Sequence, residues 1–444
     1  MEHVFERKIY QQILQWKKEN NGRTALLVEG ARRVGKSTII EEFAKREYRS
    51  YILIDFNKAS ERVMRLFDDL MDLDYVFLFL QSIYHTTLYQ RESLIIFDEV
   101  QKCPMARQSI KYLVQDGRYD YIETGSLISI KQNTENITIP SEEDRIEMHP
   151  MDYEEFRWAM GDTATIPLLR RQLENMQSMG DDVNRHLMRD LRLYMLVGGM
   201  PQAVSEYLSS KNLRSVDMIK RKILKLYFDD FRKIDKSGKI GRLYQAIPTM
   251  LSHGVGRFYP TAIIKGVGSD RMEDLLIALE DGKTVNIAYH ATDPNVGLPL
   301  SEDRSRMKMY VGDTGLMVTL SFWDKGFTEN ELYDKLFADR LPANMGYIYE
   351  NLAAQMLRSS GNNLYFHTWA KDERHNYEVD FLLSRGAKIC PIEVKSASCK
   401  SHVSLDAFCN KFSPRIDKRY VVCTKDLRRD GATTILPIYM IGLI

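Results

Sequence analysis

Apolar residues recur at two different periods along the first third of the chain. Phe5, Ile9, Ile13, Leu14 and Trp16 fall near helical spacing, which predicts an amphipathic helix over 5–20 that Asn20, Asn21 and Gly22 terminate. Short, largely apolar runs, two of them holding an internal Asp55 or Asp120, follow at 24–29, 51–56, 93–97 and 119–123, with helical or mixed stretches between them. Such runs read as buried strands. Strands alternating with helices predict a parallel sheet covered on both faces. The pattern describes an α/β domain over 1–150.

Beyond 150 the β-branched residues thin out and Leu, Met, Arg and Glu dominate. Helical patterns at 165–180, 183–197 and 213–234 predict a helical subdomain over 151–240. Val197-Gly-Gly-Met-Pro201 marks a helix stop and restart. Residues 241–320 then show three short helical patterns (243–251, 259–265 and 270–279) and two strands (284–289 and 307–311). That order predicts a winged helix. A connecting segment covers 321–344. A helix at 346–358, strands near 364–367, 378–383 and 389–394, a helix near 405–412 and a strand at 419–423 predict a second α/β domain over 345–444.

Composition narrows the classes. The chain has 444 residues, 44% hydrophobic and 28% charged, which excludes disordered and fibrous architectures. Sixty-two Lys and Arg stand against 61 Asp and Glu, a net charge of +1, so nucleic acid contact would be a local patch rather than a whole-chain property. No apolar run approaches the ~18 residues of a membrane span, and no membrane partner is expected. The five cysteines form no C-x-x-C pair, which fits neither a zinc knuckle nor a disulfide framework and points to a reduced, cytoplasmic setting.

The strongest motif lies between the first strand and the helix after it. Gly30, Ala31, Arg32, Arg33, Val34, Gly35, Lys36, Ser37 and Thr38 satisfy G-x-x-x-x-G-K-[ST] in the required strand–loop–helix context. The two glycines let the backbone curl so that its N–H groups face phosphates, and the helix starting near Lys36 adds its positive end. Lys36 is expected to reach the β- and γ-phosphates of ATP, and the Ser37 hydroxyl to coordinate Mg²⁺. Downstream, the strand at 93–97 ends in Asp98 and Glu99. Adjacent carboxylates at the end of a buried strand call for a cation. Asp98 is the expected Mg²⁺ partner, and Glu99 the group that polarises attacking water. The end of the 119–123 strand, Glu123-Thr124-Gly125-Ser126, resembles the position where AAA-type ATPases carry a polar γ-phosphate contact, which implies that role for Thr124 or Ser126, a plain turn being the alternative. Arg145, after the acidic run Glu142-Glu-Asp, is an arginine finger or lid arginine, or else a surface ion pair.

GARRVGKST (30–38), IIFDEVQ (95–101), ETGS (123–126), PMDYEEF (150–156), YMLVGGMPQAV (194–204), MYVGDTGL (309–316) and EVDFLL with PIEVKS (378–396) together resemble prokaryotic AAA-superfamily ATPases. Those carry a helical lid, a winged helix and a C-terminal domain of restriction-endonuclease type. The resemblance covers nearly the whole chain and implies a nucleotide-dependent switch. The chain departs from the family's frequent glycine before Arg145, having Asp144 there.

Asp380 followed by Glu393-Val394-Lys395 resembles the D-x(n)-E-x-K pattern of restriction endonucleases. In a strand Glu393 and Lys395 point to one side. Asp380 and Glu393 are then expected to hold Mg²⁺, with Glu350 as the extra acid of that superfamily and Lys395 orienting the attacking water. Lys371, Arg374, Lys388 and Lys400 are candidate phosphate contacts, as are Arg257, Lys265, Arg271 and Lys283 of the winged helix. Its candidate recognition helix, DRMEDLLIALED, is acidic, which favours packing or protein contact over base readout. The basic residues of 219–234, including Lys220 and Arg221, read as a solvated helix face.

Two functions fit. One is a Mg²⁺-dependent ATPase whose nucleotide state controls a DNA-cleaving C-terminal domain. The other is a nucleotide-gated module that binds DNA or protein, with a silent nuclease-like domain. A protein partner or a homo-oligomer is compatible with both.

Overall fold

The computed structural model describes residues 4–68, 70–125, 141–253, 258–324, 326–338, 346–396 and 401–444. Its contacts divide the chain into two units, residues 1–149 with 281–283, and residues 150–280 with 284–444.

The first unit is built on five parallel strands: β1 (Ala25–Glu29), β2 (Ser50–Asp55), β3 (Ser93–Asp98), β4 (Asp120–Gly125) and β5 (Glu143–Glu147), in the order β2-β3-β4-β1-β5. β1 and β3 are buried throughout, as strands covered on both faces must be. Ile52, Ile54, Phe56, Phe67, Phe77 and Phe97 pack in the core on one side, with edge-to-face ring pairs among Phe56, Phe67 and Phe97. β5 has no counterpart in the apolar pattern. Its sequence, EDRIE, is polar because among the described residues it lies at the sheet edge and pairs with β1 alone, Ala25 to Glu143 through Glu29 to Glu147.

The second unit holds an eight-stranded mixed sheet. Its strands are β6 (Val285–Ala291), β7 (Glu302–Val311), β8 (Leu364–Ala370), β9 (Asn376–Arg385), β10 (Lys388–Val394), β11 (Arg419–Cys423), β12 (Arg428–Asp430) and β13 (Thr433–Pro437), ordered β12-β13-β11-β10-β9-β8-β6-β7. Here the structure corrects the expected winged helix. The strand pair expected as its wing is an antiparallel hairpin, β6–β7, but β6 also pairs in parallel with β8, Ala288 with Leu364 through His290 with Phe366. The hairpin therefore extends the C-terminal sheet rather than standing in a separate 241–320 domain. The strand periodicity reports a hairpin without reporting which third strand it joins.

Helices Thr165–Asn175, Asp181–Val197 and Leu213–Ile234 belong to this unit, near the expected 165–180, 183–197 and 213–234, and Pro201–Ser210 is the restart after the Gly-Gly stop. A second correction concerns the Leu213–Ile234 helix. Lys220 and Arg221 are buried, not solvated. Lys220 Nζ donates to the carbonyls of Leu196 (2.5 Å) and Gly315 (3.2 Å), and Arg221 pairs with Asp217 at 2.7 Å.

The glycine motifs meet in one place. Gly198 has φ +84°, and a Cβ there would stand 2.4 Å from Asp313 Oδ1 and 2.9 Å from Gly315 Cα. A Cβ on Gly199 would stand 2.0 Å from the Met151 carbonyl oxygen. Gly199 N–H donates to Asp313 Oδ2 (2.5 Å), Leu316 N–H to Asp313 Oδ1 (2.8 Å), Met151 N–H to Gly199 O (2.7 Å) and Tyr194 O–H to Met151 O (2.8 Å). PMDYEEF, YMLVGGMP and VGDTGL are thus one backbone-to-backbone junction, and glycine is required because no side chain fits between the chains.

Candidate functional site

The loop after β1 is held by close backbone approach. Gly30 has φ +153°, and a Cβ there would stand 2.3 Å from the Met148 carbonyl oxygen. Arg33 (φ +71°) and Gly35 (φ +98°) turn the chain into the helix Lys36–Glu47. Arg7, buried and absent from the sequence expectations, fixes the loop from behind. Its guanidinium donates to Val34 O at 2.8 Å and to His149 O at 2.6 Å. An isolated arginine ahead of a helix carries no sequence signal for that role.

Lys36 is buried at 8% exposure, and its ammonium donates to the Gly30 (2.8 Å) and Ala31 (3.0 Å) carbonyls. Burial lowers its pKa to about 8, although Glu99 and Asp98 pull the other way. Ser37 Oγ donates to Asp98 Oδ1 at 2.7 Å, so motifs 61 residues apart in sequence touch. Thr124 Oγ1 also donates to Asp98 Oδ1 and accepts from the Glu99 N–H at 3.3 Å. Glu99 takes a left-handed conformation, φ +56°, and its carboxylate accepts from Gln101 Nε2 at 2.6 Å. Lys36, Ser37, Asp98, Glu99 and Thr124 therefore form one cluster at the carboxyl ends of β1, β3 and β4. The fit to a nucleotide is direct: a buried ammonium whose acceptors are two backbone carbonyls, beside a hydroxyl–carboxylate pair suited to Mg²⁺. Arg32 is half-buried, Arg33 exposed, Val34 buried and Thr38 exposed. Ser126 lies outside the described residues. Arg145 sits on β5 and pairs with Glu143 at 2.9 Å and Glu29 at 3.7 Å.

The second cluster departs from expectation. Asp380 of β9 and Glu350 of the helix Gly346–Ser359 do converge, but on Lys308 of β7. Its ammonium donates to Glu378 Oε1 (2.6 Å), Glu350 Oε1 (2.9 Å) and Asp380 Oδ1 (3.3 Å). Tyr310 O–H donates to Glu350 Oε1 at 2.6 Å, and Val394 N–H to Asp380 Oδ2 at 2.8 Å. Lys395 pairs with Glu393 at 2.6 Å. Burial alone would lower the Lys308 pKa; Glu350, Glu378 and Asp380 outweigh it and raise it well above the lysine range. Burial raises the Asp380 pKa against the pull of Lys308. Among the described residues no three His, Cys, Asp or Glu side chains form a metal-binding group.

Sequence reasoning missed Lys308, Tyr310 and Glu378. Met307-Lys-Met-Tyr-Val311 did contain a signal: a lysine within a strand end buried on both faces needs carboxylates near it. Of the candidate phosphate contacts, Lys371, Arg374 and Lys388 are exposed, Lys283 pairs with Glu147 at 3.3 Å, and Arg271 pairs with Asp235 at 3.4 Å. Arg257 and Lys400 lie outside the described residues. No described helix is long and apolar enough to cross a membrane.

Residues 22–157 match the family model described as an AAA domain, and residues 188–326 and 345–441 match two domains of unknown function, DUF8612 and DUF4143. No curated protein matches the chain. Among solved structures, the Walker-type ATPase PABY2304 of Pyrococcus abyssi is 17% identical with TM-score 0.43, over 71% of this chain and 96% of that one. Cdc6p of Pyrobaculum aerophilum is 12% identical with TM-score 0.24, over 76% and 97%. A STAND protein with a tetratricopeptide repeat sensor from Pyrococcus horikoshii is 11% identical with TM-score 0.27, over 81% of this chain and 48% of its own length. The AAA match and the loop geometry support a P-loop ATPase of the AAA type, a family that implies nucleotide binding.

Proposed function

We propose that the first unit binds ATP with Mg²⁺ and hydrolyses it, and that the second unit reads the nucleotide state as a binding module rather than as a nuclease. The observation that carries the ATPase reading is the Ser37 Oγ–Asp98 Oδ1 hydrogen bond of 2.7 Å beside buried Lys36. On ATP binding, Lys36 leaves the Gly30 and Ala31 carbonyls for the β- and γ-phosphate oxygens. Ser37 and Asp98 hold the metal, and Glu99 orients the attacking water and accepts its proton. Mg²⁺ supplies charge neutralisation at the phosphate oxygens. Thr124, bonded to Asp98 and to the Glu99 N–H, positions both acids. Steady-state phosphate release tests this. Lys36→Ala is expected to remove turnover, and unchanged turnover refutes the site.

The Lys308 ammonium favours the silent form of the nuclease-like centre, because it already supplies the positive charge that Glu350 and Asp380 would share with a metal. The competing reading, Mg²⁺-dependent cleavage of DNA through Asp380, Glu393 and Lys395, predicts nicking of plasmid or linear DNA with Mg²⁺ or Mn²⁺ and ATP. That nicking would disappear in Asp380→Ala and Lys395→Ala. Absence of cutting in the wild type supports the binding module.

A further inference from the structure

A cleft of about 1240 Å³ lies in the second unit, between the helix Asp181–Val197 and the turn after β11. Arg185, Arg189 and Arg192 project into it from the helix. Their i, i+4, i+7 spacing puts them on one stripe, with neighbouring Cβ atoms roughly 5–6 Å apart. Lys425 and Arg428 line the opposite wall, so five cations face two lining carboxylates, Asp181 and Asp426, with Arg185 also paired to Asp182. Asp426 is already engaged, accepting from the N–H groups of Met179 (3.1 Å) and Gly180 (2.7 Å). These bonds and Asn184 Nδ2 to Thr424 O (3.2 Å) tie the two walls together, so the cleft is preformed. The Arg189 guanidinium lies over the Phe337 ring at 5.2 Å, forming a flat cationic–aromatic platform. Neither the ATP site nor the carboxylate cluster includes any of these residues.

We propose that this cleft binds single-stranded nucleic acid. The inference deepens the binding-module reading and rests on it. The volume exceeds the roughly 300–1,000 Å³ of small-molecule pockets, which favours a stretch of polymer over a lone anion. A row of arginines at a regular step suits a phosphodiester backbone, and a planar platform beside it suits an unstacked base. Two facing walls suit a strand better than a duplex, which presents a broad convex surface. The balanced charge of the whole chain fits a contact confined to one cleft.

The test uses the full chain and fluorescence anisotropy with labelled oligothymidine, oligouridine and a duplex of equal length, over a salt series. Charge reversals Arg189→Glu and Lys425→Glu fall on exposed side chains, and circular dichroism checks their folding. The wild type is expected to bind a single strand better than the duplex, the two single-strand arms distinguishing DNA from RNA. Each reversal is expected to weaken binding about tenfold or more and to lower the salt slope by about one. Lys18→Glu, an exposed position in the first unit, is expected to leave the affinity unchanged. Absence of wild-type binding, preference for the duplex, or loss of affinity only in Lys18→Glu overturns the proposal. ATP turnover is measured in the same preparations, so loss of strand binding with retained turnover separates failure here from failure of the ATPase reading.

Discussion

Lys308 Nζ stands 3.3 Å from Asp380 Oδ1, with the ammonium at 4% exposure and the carboxylate reached from a strand 72 residues away. The same ammonium bonds Glu350 and Glu378. The C-terminal sheet thus brings its own cation to the carboxylates that a metal-dependent nuclease would leave open. The residue comes from β7, whose pairing to β6 and through it to β8 places it there.

Lys308→Met is therefore expected to destabilise the second unit by about 3–5 kcal/mol, the usual effect of removing one partner from a buried ionic cluster. The three carboxylates left behind would repel one another and admit a divalent cation. Mn²⁺ should raise the thermal midpoint of the variant and leave the wild type unmoved. Asp98→Asn in both backgrounds removes the contribution of the first unit. Equal Mn²⁺ stabilisation of wild type and variant would show that Lys308 does not fill the site.

In the first unit, the proposed roles separate binding from chemistry. Glu99→Gln should keep nucleotide affinity and lower turnover about 100-fold or more, because the amide still hydrogen-bonds water but takes no proton. Asp98→Asn should weaken the Mg²⁺ dependence of binding, since it removes charge from the Ser37 pair. Titration of a fluorescent ATP analogue alongside phosphate release resolves the two. Equal losses of affinity and turnover in Glu99→Gln would contradict the assignment.

The nucleotide loop was legible in the sequence because its chemistry is local: glycines, lysine and serine within nine residues of a strand and a helix. Asp98 was legible because two acids ended a solid apolar run. The carboxylate cluster was half legible. Asp380, Glu393 and Lys395 share one hairpin, whereas Lys308 arrives through a parallel β6–β8 pairing that no local pattern encodes. β5 stayed hidden because an edge strand need not be apolar. Lys220 and Arg221 were misread because helical charge looks the same whether it meets water or buried carbonyls and Asp217.

The Lys36 ammonium gives a pH signature. Burial holds its pKa near 8 in the nucleotide-free protein, so it begins to lose its proton as pH rises through that value. Phosphate oxygens at the site favour the charged form and restore the proton. ATP binding near pH 8 should therefore take up a fraction of a proton, and affinity should fall as pH rises further, approaching about tenfold per unit. Isothermal titration in buffers of different ionisation enthalpy reads the uptake directly. A binding enthalpy independent of buffer, or proton release, would contradict the protonation change.

The glycine junction makes a prediction about stability that separates backbone strain from steric exclusion. Gly238 has φ +71° with open space around its missing Cβ, so Gly238→Ala should cost only the left-handed penalty of about 1–2 kcal/mol. Gly315 lies in a helix, yet a Cβ there would stand 2.5 Å from Gly198 Cα and 2.7 Å from Val197 O, both backbone atoms that have no rotamer to move to. Gly315→Ala should cost about 1–3 kcal/mol by overpacking alone. Gly198→Ala combines both penalties and also pushes on Asp313, which anchors Gly199 N–H and Leu316 N–H. It should be the most destabilising of the three, at about 2–5 kcal/mol. Chemical denaturation of the three variants orders them. If Gly198→Ala proved no worse than Gly238→Ala, the tight packing between the two glycine motifs would not be what holds the junction.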